Sequence, residues 1–463
     1  MQNAECRMLN DKQSFRCSAF RILHSAFLLA LCLGASGAHP TLAVEPPPAL
    51  DPAVARAQGF RVLQGKHLTL YTDVPSSPAV DELPRVFDAA VPHWAAYFGI
   101  DPAKLADWRM RGFLMQSRER FATVGLAPAE LPEFKNGYST GHDLWLYDQP
   151  SDYYRRHLLL HEGTHGFMNT QLGSCGAGWY MEGVAELLGT HHWADGRLTL
   201  GVVPRDKEDV PLWGRIALVK AEIAAGRMRG IDDIVNDAVP SFTDNESYAW
   251  CWALAAFLDG HPRYRAAFRG LQKSVNDPHF NAAFRRAFAA ELPELRREWL
   301  TFAGELEYGV DVSRTAIAFR PGQPPAVAGT QATVAADRGW QSSGVLLEAG
   351  RKYRIRAVGR FQIAMSDAEA GGGGASARKP WPCEPGGVTL RYYRGRPLGM
   401  LLGAVEPDPT STTPPAALAP FAVGLDMIVE PSVTGSLYLR VNDSNGELND
   451  NAGALTAEIT PER

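Results

Sequence analysis

Five consecutive residues, His161-Glu162-Gly163-Thr164-His165, constrain this chain more than any others. On an α-helix, residues four apart lie on one face, so both imidazoles can grip a single ion there. The segment is therefore read as helical. Glu162, about a quarter-turn round the same helix, can reach a water on that ion. Zinc suits such a donor set, since it accepts nitrogen and oxygen ligands and keeps a position open for chemistry.

A second segment, Trp179-Tyr180-Met181-Glu182-Gly183-Val184-Ala185-Glu186, strengthens the motif. Sixteen residues separate His165 from Glu182, enough to close one helix, turn and begin another facing it. Glu182 then offers a third ligand. Glu186, one turn further, can accept a hydrogen bond from a ligating imidazole, the kind of contact that fixes tautomer and ring orientation. The bland alternative makes both glutamates solvated surface charges.

HEGTH followed by WYMEGVAE resembles the gluzincin branch of the zinc peptidases, which includes the thermolysin-like and aminopeptidase-N families. The resemblance implies one zinc held by His161, His165 and Glu182, with Glu162 as general base and Glu186 behind a ligand histidine. It spans roughly residues 55–310. A later stretch, Tyr248-Ala249-Trp250-Cys251-Trp252-Ala253-Leu254, resembles the aminopeptidase-N segment whose tyrosine stabilises the oxyanion. A phenol suits that task because it donates a hydrogen bond without carrying charge. Two departures stand out: Cys251 replaces a common glycine, and no glutamate for gripping a free substrate N-terminus is evident. Endopeptidase action is therefore expected rather than aminopeptidase action.

Neighbouring histidines receive plainer readings. Three on one helix would not all reach one tetrahedral ion, so His157 is expected behind a ligand or exposed. His191 and His192 are expected in the last turn of the glutamate helix, where cations sit well. Asp143-Leu144-Trp145-Leu146-Tyr147 is read as an edge strand along which an extended peptide could lie.

A chain of 463 residues is too long for one ordinary core, so two domains are expected. Strands near 62–72 and 111–115, a helix from Ser77-Pro78, and mainly helical signals from Tyr153 to Phe302 read as an α+β, zincin-like catalytic domain over 44–318. Pro321-Gly322-Gln323-Pro324-Pro325 marks a linker over 319–327. Short strand-like runs separated by Gly- and Pro-rich loops, Gly371–Gly374 and Pro407–Pro415 among them, then read as an all-β sandwich over 328–463.

Basic residues followed by an apolar run, Ile22 to Leu33, read as a signal peptide over 1–43, cut after Ala38 or after Ala43. An uncleaved anchor is the alternative, but the run is short for a bilayer, and no stable membrane span is expected. The mature protein is thus expected to be exported: periplasmic, cell-surface or secreted. That leaves Cys175, Cys251 and Cys383, where a Cys175–Cys251 bridge and buried free thiols are both open. A net charge of -5 without a long basic run argues against nucleic acid as a partner.

Asn442-Asp443-Ser444-Asn445-Gly446-Glu447-Leu448-Asn449-Asp450-Asn451 is rich in oxygen donors, as a hard cation requires. It resembles the metal loop of the small calcium-dependent galactose-binding bacterial lectins. The resemblance implies calcium held by side chains of Asp443, Asp450 and Asn451 and by the Glu447 carbonyl; the alternative is an ion-free turn. The residues that grip sugar in that family are not matched over Gly371–Pro385. Two function classes follow: a zinc peptidase whose β-domain meets a glycan or cell-surface component, or a binding protein on a catalytically idle metallopeptidase fold.

Overall fold

The computed structural model describes residues 51–236, 244–366, 379–407 and 416–462. The expected signal segment (1–43), the Gly371–Gly374 loop and Asp408–Pro415 lie outside them. Architecture is mixed helix and sheet in the first part and sheet-rich in the second.

The first part is built on five strands: β1 (Arg61–Gln64), β2 (Leu68–Thr72), β3 (Met110–Met115), β4 (Gly137–Thr140) and β5 (Asp143–Tyr147), in the order β1-β2-β3-β5-β4. β2, β3 and β5 run parallel, while β1 and β4 are antiparallel to their neighbours. The segment expected as one strand over 62–72 is thus a hairpin. The expected edge strand, Asp143–Tyr147, is paired on both sides; the edge is Gly137–Thr140. Alternation alone does not distinguish an inner strand from its neighbour at the rim.

Ser77 caps a short helix, Pro78–Asp81, which is followed directly by Leu83–Phe98. Leu83, Phe87, Val91, Trp94 and Phe98, read as its apolar stripe, are all buried. Asp152–Leu172 carries the two histidines; Ser151 caps its start, and Gly173, at φ +86°, ends it in the left-handed region. Gly178–Gly189 carries the two glutamates and Asn245–Gly260 carries Tyr248. Glycines let these helices approach closely. A Cβ on Gly163 would sit 2.7 Å from Trp94, and one on Gly183 would sit 2.8 Å from the Cys251 carbonyl oxygen. Gly166 lies against Met110 of the sheet so closely that its Cβ would overlap that side chain.

In the second part, two antiparallel four-stranded sheets share an apolar core that includes Val345, Ile355, Leu437 and Ile459. One sheet places Tyr353–Val358 and Ala454–Pro461 at its centre, the other Leu401–Pro407 and Gly435–Val441. Strands Thr330–Ala335, Phe361–Ser366 and Leu401–Pro407 were not singled out from the sequence.

The Pro-rich segment expected as a linker is laid against this second part. Gly322 N donates to Ser436 Oγ, Arg320 N to the Tyr438 hydroxyl, and Gln323 bridges to Val345. A polar junction closes the seam. Glu305 accepts from Arg440 at 2.8 Å and from Trp340 at 3.0 Å, while Glu307 accepts from Tyr393, Ser444 and the Asn445 backbone. No helix among the described residues is long and apolar enough to cross a membrane.

Candidate metal centre

The histidine and glutamate helices face each other across the loop 173–177 and bring three donor atoms together. His161 Nε2 and His165 Nε2 are 3.1 Å apart, and Glu182 Oε2 lies 3.1 Å from the first and 3.5 Å from the second. An ion bound tetrahedrally at about 2.0–2.1 Å would want its ligand atoms about 3.3 Å apart. All three residues are buried. Glu182 Oε2 has no partner of hydrogen-bonding geometry, nor do His161 Nδ1 and His165 Nδ1. Buried polar atoms are rarely left so, and a cation at the centre of the triangle would satisfy the carboxylate. These buried His/Glu groups could hold a metal ion.

Electrostatics fit the same reading. Burial by itself raises the Glu182 carboxyl, yet the two imidazoles beside it outweigh that and hold it at about 2. Burial opposes a charge on His165, but the Glu182 carboxylate pushes its pKa well above the ordinary value. Glu162 is buried too, and burial raises its carboxyl against the lowering influence of both histidines. The edge strand closes over it: a Cβ on Gly137 would lie 2.6 Å from Glu162 Oε1.

Tyr248 lines the same cleft, a space of about 760 Å³ that also contains His161, Glu162, His165 and Glu182. Its ring centre is 6.3 Å from that of His161, and the Arg215 guanidinium sits 5.7 Å from the ring. Burial first, then the Glu182 and Glu162 carboxylates, raise its pKa, so the phenol keeps its proton.

Glu186 lies behind His161 but belongs chiefly to Arg215, which donates at 2.8 and 3.1 Å to its two oxygens. Trp213 adds a donor at 3.3 Å, and His161 Nδ1 is 3.7 Å away, beyond hydrogen-bond reach. Arg215 and Trp213 went unnoticed in the sequence, since neither lies at a motif spacing from Glu186.

Two alternatives left open by the sequence are decided here, and one expectation is corrected. His157 is not exposed; it is fully buried, 3.4 Å from Glu186 Oε2. His191 and His192 are outside the glutamate helix, which ends at Gly189, and begin the strand His191–Ala194. His191 stacks on Tyr153 at 4.5 Å, and burial lowers it to about 3, so it is no helix-end cation. Cys175 and Cys251 are both buried and are not joined by a disulfide. The thiol of Cys175 sits against Asn169 Oδ1 at 3.3 Å.

In the second part, the expected calcium donors are neighbours, but other partners engage them. Asp443 Oδ1 accepts from Ser444 N at 2.7 Å and Oδ2 from Asn451 Nδ2 at 2.9 Å, while the Glu447 carbonyl accepts from Asp450 N. Asn451 Oδ1 is buried without a partner. Burial, with smaller contributions from Glu447 and Asp450, pushes Asp443 up to about 7. Ser444 and Asn445 face Glu307 in the seam rather than open solvent.

No family model matches the chain, and no curated protein is significantly similar to it. Among solved structures, one described as "EclA N-terminal domain; PllA-like lectin" is 20% identical, covering 28% of this chain and 95% of that chain, with a TM-score of 0.20.

Proposed function

We propose that this chain is an exported zinc-dependent peptidase with a zincin-like first domain, cleaving within polypeptides rather than at a free N-terminus. The observation that carries the reading is the triangle of His161, His165 and Glu182 donor atoms, 3.1–3.5 Å on a side, with Glu162 beside it at the base of a cleft. Bound there, zinc would supply a Lewis acid toward the scissile carbonyl and a water acidified to near neutral pH.

The chain's own groups do the rest. Gly137–Thr140, as an edge strand, offers backbone partners to an extended substrate. Glu162, its carboxyl raised by burial, takes the proton of the attacking water and delivers it to the leaving amine as the C–N bond breaks. Tyr248, a neutral phenol, donates to the oxygen of the tetrahedral carbon. For the β half, the lectin resemblance suggests calcium and a glycan or other cell-surface component; the seam would hold that half fixed against the first.

Purified protein loaded with zinc is expected to cleave peptides in a proteome-derived library. Glu162→Gln should keep about one zinc per chain and lose about 10²–10⁴-fold in turnover. Zinc-loaded wild type that cleaves nothing would favour the idle binder instead.

A further inference from the structure

Behind the proposed ligands lies a second buried group: His157 Nε2 is 3.4 Å from Glu186 Oε2, and His161 Nδ1 is 3.7 Å from Glu186 Oε1. Both nitrogens of His157 and Nδ1 of His161 are buried without hydrogen-bond partners. The surroundings are shaped to the ring of His157. Tyr154 stacks on it at 5.6 Å and 10°, Tyr153 at 6.3 Å and 19°, and a Cβ on Gly189 would lie 2.8 Å from its Cε1.

Two roles suit such a group, and charge decides between them. A second metal ion could use His157, His161 and Glu186. It would have to share Glu186 with the Arg215 guanidinium, already on both oxygens at 2.8 and 3.1 Å. Two cations on one buried carboxylate repel strongly where little solvent screens them. A neutral donor meets no such penalty. A small shift of the ring turns 3.4 Å into a hydrogen bond.

We infer that His157 is a positioning residue: with Arg215 it fixes the Glu186 carboxylate, leaving Oε1 3.7 Å from His161 Nδ1, where a closing of a few tenths of an ångström on ion binding would make the hydrogen bond that aims Nε2 at the ion. This rests on the zinc reading of His161, His165 and Glu182. A filler of the core would serve better as an apolar ring, because a histidine that makes no bond to Glu186 leaves both nitrogens unsatisfied. Contacts of this outer kind typically change metal affinity about 10–100-fold when lost.

The test uses the full chain. His157→Phe keeps the stacked ring and removes the donor; His157→Gln restores an N–H near the Nε2 position. Wild type should bind one zinc. His157→Phe should still bind one, about 10–100-fold more weakly, with a shifted visible spectrum when cobalt replaces zinc, and His157→Gln should return both toward wild type. Phe and Gln variants that match wild type in affinity and spectrum would overturn the inference. So would two zinc ions in wild type falling to one in His157→Phe, which would mark a second metal site. Should the Phe variant not fold, His157→Leu, which likewise lacks a donor, takes its place beside His157→Gln under the same expectations. Wild type that binds no zinc would sink the proposed function itself, a different outcome from either.

Discussion

Two regions of this molecule gather candidate metal donors, and they hold them in opposite ways. In the first, His161, His165 and Glu182 come from two helices whose backbones are satisfied internally. Nothing local is left to occupy the side chains, and Glu182 Oε2 has no hydrogen-bond partner. In the second, Asp443, Glu447 and Asn451 come from one loop, whose own donors fill most of the acceptors: Ser444 N and Asn451 Nδ2 on Asp443 and Asp450 N on Glu447, with Asn451 Oδ1 left open. Donors on helices wait for an ion, whereas donors on a loop can close on one another, and an ion must displace those bonds.

The largest effect expected from that difference is at the helices. His161→Ala should take bound zinc from about one per chain to almost none, by elemental analysis, and abolish peptide cleavage with it. Full zinc retention in that variant would mean that the first region is no more a ready site than the second. Next in size, Tyr248→Phe should lower the catalytic rate about 10²–10³-fold while leaving KM nearly unchanged. A rate within a factor of two of wild type would return Tyr248 to packing and leave the cleft with one fewer working group.

The smallest effect is expected at the loop. Asp443 is pushed from an ordinary 3.8 to about 7, chiefly by burial. Without a cation its contribution to stability is therefore present below about pH 4 and lost as pH rises through about 7. Calcium at about ten times its dissociation constant adds only about 1.4 kcal/mol, a rise of about 5 °C in melting temperature for the 328–463 half melting as its own unit. That rise should be larger at pH 8 than at pH 5.5, where the carboxyl is protonated, and Asp443→Asn should abolish it. Equal melting with and without calcium at both pH values would leave the loop as a docking element only.

The same contrast explains what the sequence disclosed. His161, Glu162, His165 and Glu182 were legible because helical periodicity turns spacing into geometry, and two motifs fix both helices. The apolar stripe from Leu83 to Phe98 was legible for that reason too. What joins distant segments was not. Arg215 meets Glu186 from 29 positions away and Glu305 meets Arg440 from 135 away, and no local pattern announces either pair. The exchange of roles between Asp143–Tyr147 and Gly137–Thr140 depends on which strand finds a further neighbour, a property of the folded sheet alone.

The glycines of the two site helices have a consequence for anyone altering this protein. Gly163, Gly166 and Gly183 each sit where a methyl group would strike Trp94, Met110 or the Cys251 carbonyl. Replacing helical glycine by alanine is a standard route to a hardier protein, gaining about 1 kcal/mol at a permissive position. Here it should do the reverse, wedging the helices apart and spreading the donor triangle. The same residues make each helix a poor one in isolation, so the centre should assemble only as its neighbours dock. Directed evolution for heat tolerance should accordingly leave these three positions untouched and find its gains elsewhere, on the outer faces.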